Sequence, residues 1–245
     1  MKILENVFAE TCAEIESAYL RLGHRMGWRF LNSPRITFAS NTPIALITLN
    51  PGGSAAPPDH GRESSESGSA YIVESWPRGS GPGEAPLQRE IRGLFAMLAA
   101  AQGSALSGDT LLHQSLAAYF VSFRSPTFRA LEQPGESLAF ASQLWTRLFK
   151  HLDPKLVITI DRRTTHCLVR ILSEKFGVAP SVQSFPIGWG KYAADVLSFE
   201  AGGSLRTVLR FPHLSRFKIF QRAQSRPDLR PYLERVIAAA ARGLH

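Results

Sequence analysis

Short apolar runs, each bounded by proline or a polar turn, alternate along this chain with stretches whose apolar residues recur at helical spacing. That alternation constrains the fold more than any other feature. Residues 44–49 read Ile-Ala-Leu-Ile-Thr-Leu and stop at Asn50-Pro51-Gly52-Gly53. A run this short, apolar throughout and partly β-branched, predicts a strand buried on both faces. Three further runs read the same way: 116–123 before Arg124-Ser125-Pro126, 156–160 after Asp153-Pro154, and 205–211 before Pro212-His213. Helical periodicity covers 3–22, where Phe8, Cys12, Ile15 and Tyr19 share a face. It returns over 86–101 behind Pro86, then over 137–152, 163–176 and 231–242. Asp161 or Thr164 can cap the fourth of these helices.

Between the elements, a polar turn is expected after residue 22. Residues 54–83 form a long loop rich in Gly, Ser and Pro, interrupted by an apolar island from Tyr71 to Trp76. Residues 182–199 predict an added strand or an irregular excursion around Gly188-Trp189-Gly190. No internal repeat is present. Strands alternating with helices imply right-handed crossovers, hence a three-layer α/β/α domain spanning 1–245 with a mostly parallel sheet of about four strands. Ligands in such folds bind beyond the carboxyl ends of the strands. The segments beginning at Asn50, Arg124 and Pro212 are therefore expected to meet at one edge.

Twenty-eight Lys and Arg against 20 Asp and Glu leave a net charge of +8, which favours a polyanionic partner, nucleic acid before membrane. Two cysteines, Cys12 and Cys167, are too few for a zinc ribbon or a four-cysteine iron–sulfur cluster. They also suit a reducing, cytoplasmic setting. The acidic start of the chain does not read as a signal peptide, and no run reaches the ~20 apolar residues of a membrane span. No P-loop, dinucleotide fingerprint or zinc-deaminase signature occurs. No cofactor is expected, and a monomer is the expected state.

Two segments carry most of the chemistry. In Leu49-Asn50-Pro51-Gly52, proline removes a donor and the glycines permit close backbone approach, while the Asn50 amide offers donor and acceptor together. In Pro212-His213-Leu214-Ser215-Arg216, an imidazole just beyond a buried strand can donate to developing negative charge. Either segment alone reads equally as a plain turn. A basic C-terminal third (Arg206, Arg210, Arg216, Lys218, Arg222, Arg226, Arg230) can track phosphates or serve as a solvated face. Asp161-Arg162-Arg163 reads as a helix cap with phosphate contacts, Trp189 as a core anchor, and Asp59-His60 as a solvated pair.

Taken together, the two segments resemble motifs of the uracil-DNA glycosylase superfamily. There a strand ends in a Pro-containing motif, Asn-Pro-Gly in some branches, and a later motif begins with His and runs through Pro, Ser or Leu-Ser. Phe123-Arg124-Ser125-Pro126 is similar to an Arg-Pro region after the second strand. The resemblance implies a glycosylase-like fold and metal-independent hydrolysis of the bond between sugar and a flipped-out uracil or damaged base. Asn50 would steer water and His213 would stabilise the departing base. Leu49, Pro51, Gly52 and an aromatic, Tyr71 or Trp76, would hold the base. Arg124, Ser125, Ser215 and Arg216 would contact DNA, with Leu214 wedged into the base stack. Residues 117–122 lack the Asn with which several branches read the base edge, and the first motif lacks an Asp. A catalytically weak or silent relative that binds DNA or abasic sites is the alternative, and a small-molecule hydrolase is the third reading.

Overall fold

The computed structural model describes residues 4–53, 61–103 and 105–244. The elements run α1 (Glu5–Arg21), β1 (Trp28–Arg29), β2 (Ile44–Thr48), β3 (Gly61–Arg62), α2 (Ala70–Val73) and α3 (Pro86–Ala101). They continue with α4 (Gly108–Gln114), β4 (Leu116–Tyr119), α5 (Pro134–Leu148), β5 (Leu156–Thr159) and α6 (Arg162–Phe176). The last are β6 (Ser181–Pro186), β7 (Ala193–Ala201), β8 (Ser204–Arg210), α7 (Leu214–Phe217), α8 (Ile219–Ser225) and α9 (Arg230–Ala241).

The central sheet has six strands in the order β4-β2-β5-β8-β7-β6. The first four are mutually parallel, and β7 and β6 are added antiparallel. The expectation of about four strands is thus corrected to six in a mixed sheet. Residues 182–199 hold two strands because a tight hairpin, not a crossover, leads into β8. Ala201 pairs with Ser204, so Gly202 and Gly203 alone make the turn, and their φ values of +57° and +73° are the two positive angles such a hairpin requires.

Alternate side chains of each parallel strand enter different cores. Ala45, Ile47, Val157 and Val208 pack with Phe8 and Ile15 of α1, Trp145 of α5 and Leu168 of α6. Ile44, Leu46, Ile158 and Leu209 pack with Leu94 of α3, Leu112 of α4 and Val236 of α9. Helices therefore lie over both faces, which is why the runs are apolar without alternation. Complete burial of each such side chain contributes about 1.5–3 kcal/mol. Trp145 also donates its indole N–H to the Phe120 carbonyl at 3.0 Å, so its polar atom is satisfied in the core.

The stretch after α1 is not the polar turn its composition suggests. Phe30, Leu31 and Phe38 are fully buried. Residues 28–32 run along the outer edge of β4, with Tyr119 N–H donating to Phe30 O and Asn32 N–H to Ala117 O. An antiparallel bridge joins Leu31 to Ala118. This covers an edge that would otherwise expose unpaired backbone groups. No helix among the described residues is long and apolar enough to cross a membrane.

Candidate functional site

Because β4, β2, β5 and β8 are adjacent and parallel, the residues following them emerge at one edge: Arg124 and Ser125, Asn50, Asp161 and His213. The strands that lead to Asn50 and His213, β2 and β8, flank β5 and so lie two strand spacings apart, about 10 Å.

At the β2 end the pairing with the β4 segment continues past the ladder. Phe120 N–H donates to Thr48 O at 2.7 Å and Val121 N–H to Leu49 O at 2.8 Å. Ser125 N–H then reaches the carbonyl of buried Pro51 at 3.1 Å. The Asn50 amide NH₂ donates to Ser125 Oγ and to Pro51 O, both at 3.1 Å. Arg124 Nη1 donates to Gly52 O at 2.6 Å. Gly53, at φ +127°, lies against the same guanidinium; a Cβ there would sit 3.2 Å from Nη1. This glycine is required both by its angle and by the closeness of the arginine.

Arg124 is half-buried beside two other cations. Burial lowers its pKa most, Tyr119 opposes this, and Arg29 and Arg62 lower it further. Arg29 binds Glu74 through both terminal nitrogens at 2.8 Å, and Arg62 adds a third bond at 3.0 Å. The Trp76 indole gives Glu74 a fourth, at 2.9 Å. Burial alone would raise the Glu74 pKa, but these bonds outweigh it and the net shift is downward. Three arginines against one carboxylate leave a local positive excess suited to an anion.

Asp161, between the two motifs, caps α6: its Oδ1 accepts from Thr164 N–H at 2.8 Å. Its Oδ2 is shielded from solvent and has no hydrogen-bond partner among the described residues. The sequence identifies this residue as a cap, which the structure bears out; its place beside His213 depends on strand order. His213 keeps an exposed surface and sits at the start of α7, with Nδ1 3.0 Å from Ser215 Oγ. Protein packed around the ring lowers its pKa, and the charge of Asp161 only partly offsets this. The shift favours the neutral imidazole.

Two of the expected contacts are not as the sequence reading placed them. Leu214 is completely buried in the α3/α9 core, so it anchors α7 and cannot serve as a wedge without leaving that core. Tyr71 is 1% exposed, packed edge-on against Trp76 at 5.1 Å, and presents no free face for stacking. Trp76 retains partial exposure. Leu49 is half-buried, Gly52 exposed, Ser215 half-buried and Arg216 exposed.

Much of the basic C-terminal third is internally neutralised. Arg206 pairs with Asp153, Arg210 with Asp195, Arg226 with Asp228 and Arg230 with Glu234. Arg222 lies over Trp189, which packs against the edge of the core. Arg216 and Lys218 make no ion pair with the described residues and remain exposed. A separate groove of about 320 Å³ lies between α6 and β7–β8, lined by Arg162, His166, Asp195 and Arg210 among others; of the expected phosphate contacts it takes in Arg162 and Arg210, and neither Asn50 nor His213 lines it. Asp59 and His60 lie outside the described residues.

Sequence reading missed Asn32, Arg29 and Glu74. Asn32 sits at 0% exposure, its carbonyl accepting from Ala70 N–H at 2.7 Å and its side chain beside the Tyr71 hydroxyl. A lone Asn closing the segment Trp28-Arg29-Phe30-Leu31 was its only sequence signal.

The fold and this edge define a mixed α/β protein with a polar, cationic rim at the carboxyl ends of its parallel strands. No family model matches the chain, and no curated protein is similar to it.

Proposed function

We propose that this chain is a DNA-binding hydrolase of the uracil-DNA glycosylase type, cleaving the N-glycosidic bond of uracil or a related damaged base flipped out of DNA. The observation that carries the reading is the strand order, which delivers Asn50, Asp161 and His213 to one edge beside the arginine cluster. Phosphates would bind at Arg124, Arg62 and the exposed Arg216. In the tautomer that accepts the Ser215 hydroxyl at Nδ1, the neutral His213 ring carries its proton on Nε2 and can donate to the oxygen of the departing base. A preorganised donor of this kind contributes on the order of 3 kcal/mol. The Asn50 NH₂ is committed to Ser125 and Pro51, so its carbonyl oxygen is the group that orients water toward the sugar. The Asp161 carboxyl, at the end of the strand between the two motifs, would place negative charge near a cation-like sugar.

The test is base release from single- and double-stranded oligonucleotides carrying uracil, hypoxanthine, xanthine or a thymine mispair, read as alkali-labile breaks. His213→Ala is expected to slow release roughly 100- to 1000-fold without loss of folding. Wild-type protein that releases nothing above this variant removes the catalytic claim. The commitment of the Asn50 amide to structural bonds favours one second reading, a silent relative that retains abasic DNA in a salt-dependent manner.

A further inference from the structure

We infer that Asn32, from the N-terminal edge segment, is a ligand-reading residue whose side-chain amide pairs with the edge of a planar heterocycle offering an acceptor next to a donor. The inference deepens the proposed function by naming how the base would be selected, and it rests on that reading.

Asn32 is 0% exposed, yet neither its Nδ2 nor its Oδ1 has a hydrogen-bond partner among the described residues. Buried amides in folded proteins are almost always paired, so one with both ends open calls for a physical explanation. Its surroundings have the same character: Thr48 Oγ1 and Ser69 Oγ are also buried and unpartnered among the described residues. Sheet register places these groups together. Leu31 bridges Ala118 and enters the α1/α5 core, while the Asn32 side chain lies toward the Tyr71 hydroxyl, on the α3/α4 side. Thr48 and Tyr119 are paired across β2 and β4 and alternate onto that side too. Tyr71 closes the group from α2; its hydroxyl faces Thr48 and Asn32, but at geometry that satisfies neither.

The result is a cluster of uncommitted donors and acceptors two residues before Asn50 on the same strand. An amide can donate and accept side by side, which matches a cyclic imide or amide such as uracil or hypoxanthine. Arg29 is saturated by Glu74 and by the Leu31 carbonyl, so it does not compete for the Asn32 amide. For a ligand to reach the amide, the Tyr71 phenol must yield its place.

Free uracil, hypoxanthine, cytosine and adenine are titrated into the full-length protein by NMR, alongside Asn32→Leu and Asn32→Asp. Retention of abasic-site DNA is measured for each. The wild type is expected to bind uracil or hypoxanthine, and Asn32→Leu to lose roughly tenfold or more in affinity while remaining folded and still holding abasic DNA. Asn32→Asp, which when ionised can only accept, is expected to shift preference toward cytosine or adenine with their exocyclic amines. That exchange of preference is not the outcome of a merely structural amide. Binding unchanged in Asn32→Leu, or no heterocycle bound by the wild type, overturns the inference. Asn32-dependent heterocycle binding without base release would leave it standing and overturn the glycosylase reading alone.

Discussion

The two ends of the candidate edge are held by different physics. Asn50 is tied to Ser125, and Arg124 to Gly52, each pair across more than 70 residues of sequence through a direct hydrogen bond. His213, Ser215 and Arg216 instead hold to their own turn, through the Ser215–His213 contact and the Arg216 N–H donated to His213 O at 3.0 Å. What fixes that turn to the rest of the molecule is apolar, the buried side chain of Leu214. A polar, long-range lock resists displacement of any one member. A local turn held by apolar side chains, Leu214 and the half-buried Phe217, keeps its imidazole exposed, and so available to a partner.

That contrast can be broken most severely at Leu214. Leu214→Ala is expected to cost about 2–5 kcal/mol in urea unfolding, the range for a large core side chain truncated to alanine. A cost within 0.5 kcal/mol would show that the turn does not depend on this anchor. At the other end, Asn50→Ala removes one bond to Ser125 Oγ and one to the Pro51 carbonyl. The expected loss is smaller, about 1 kcal/mol per bond, and it should accompany a drop in base release that exceeds the stability loss. Equal losses would assign Asn50 to structure alone.

The two histidines with depressed pKa values sharpen the comparison. Burial lowers both His24, which meets Ser137 Oγ at 3.0 Å and stacks on Phe123, and the exposed-edged His213. Each binds its proton less readily when folded than when unfolded. Their contribution to stability is therefore complete above the unfolded value of about 6.5 and is lost as pH falls below it toward the folded values. Melting temperature measured between pH 8 and 5 should fall toward acid, and His24→Gln should flatten the fall. In the same range base release should decline as His213 becomes charged, a change that His24→Gln leaves in place. The smallest effect is expected at Arg216. Arg216→Ala should alter stability by no more than about 0.5 kcal/mol and reduce the salt slope of DNA binding by about one.

Much of the fold is legible from the sequence because local signals agree with burial. Pro86 opens α3, Asp161 caps α6, and the four apolar runs become the four parallel strands. The 182–199 region resisted because β6 is exposed along most of its length, so it lacks the apolar run that marks a buried strand. Residues 23–40 resisted for the opposite reason: Phe30, Leu31 and Phe38 are core residues interspersed with polar ones, and the backbone of 28–33 pairs with distant partners, β4 on one side and residues 61–65 on the other. Of the candidate site, Asn50, Arg124, Ser125 and His213 follow from strand ends followed by proline-bearing turns. The burial of Leu214 and Tyr71 does not, since an apolar or aromatic side chain after a turn can face solvent, ligand or core with the same local sequence.

By itself the sequence determined the four parallel strands and the five long helices, and that those strands are covered on both faces. Those are properties of periodicity, backbone restriction and capping, which act over a few residues. Only the tertiary structure decided strand order, and with it the placing of Asp161 between Asn50 and His213. It also decided the pairing of most C-terminal arginines with acids, and the confinement of the Asn32 amide against Thr48 and Tyr71. Each of these depends on contacts between residues distant in the chain, where burial and charge pairing are set by which elements become neighbours rather than by any one segment.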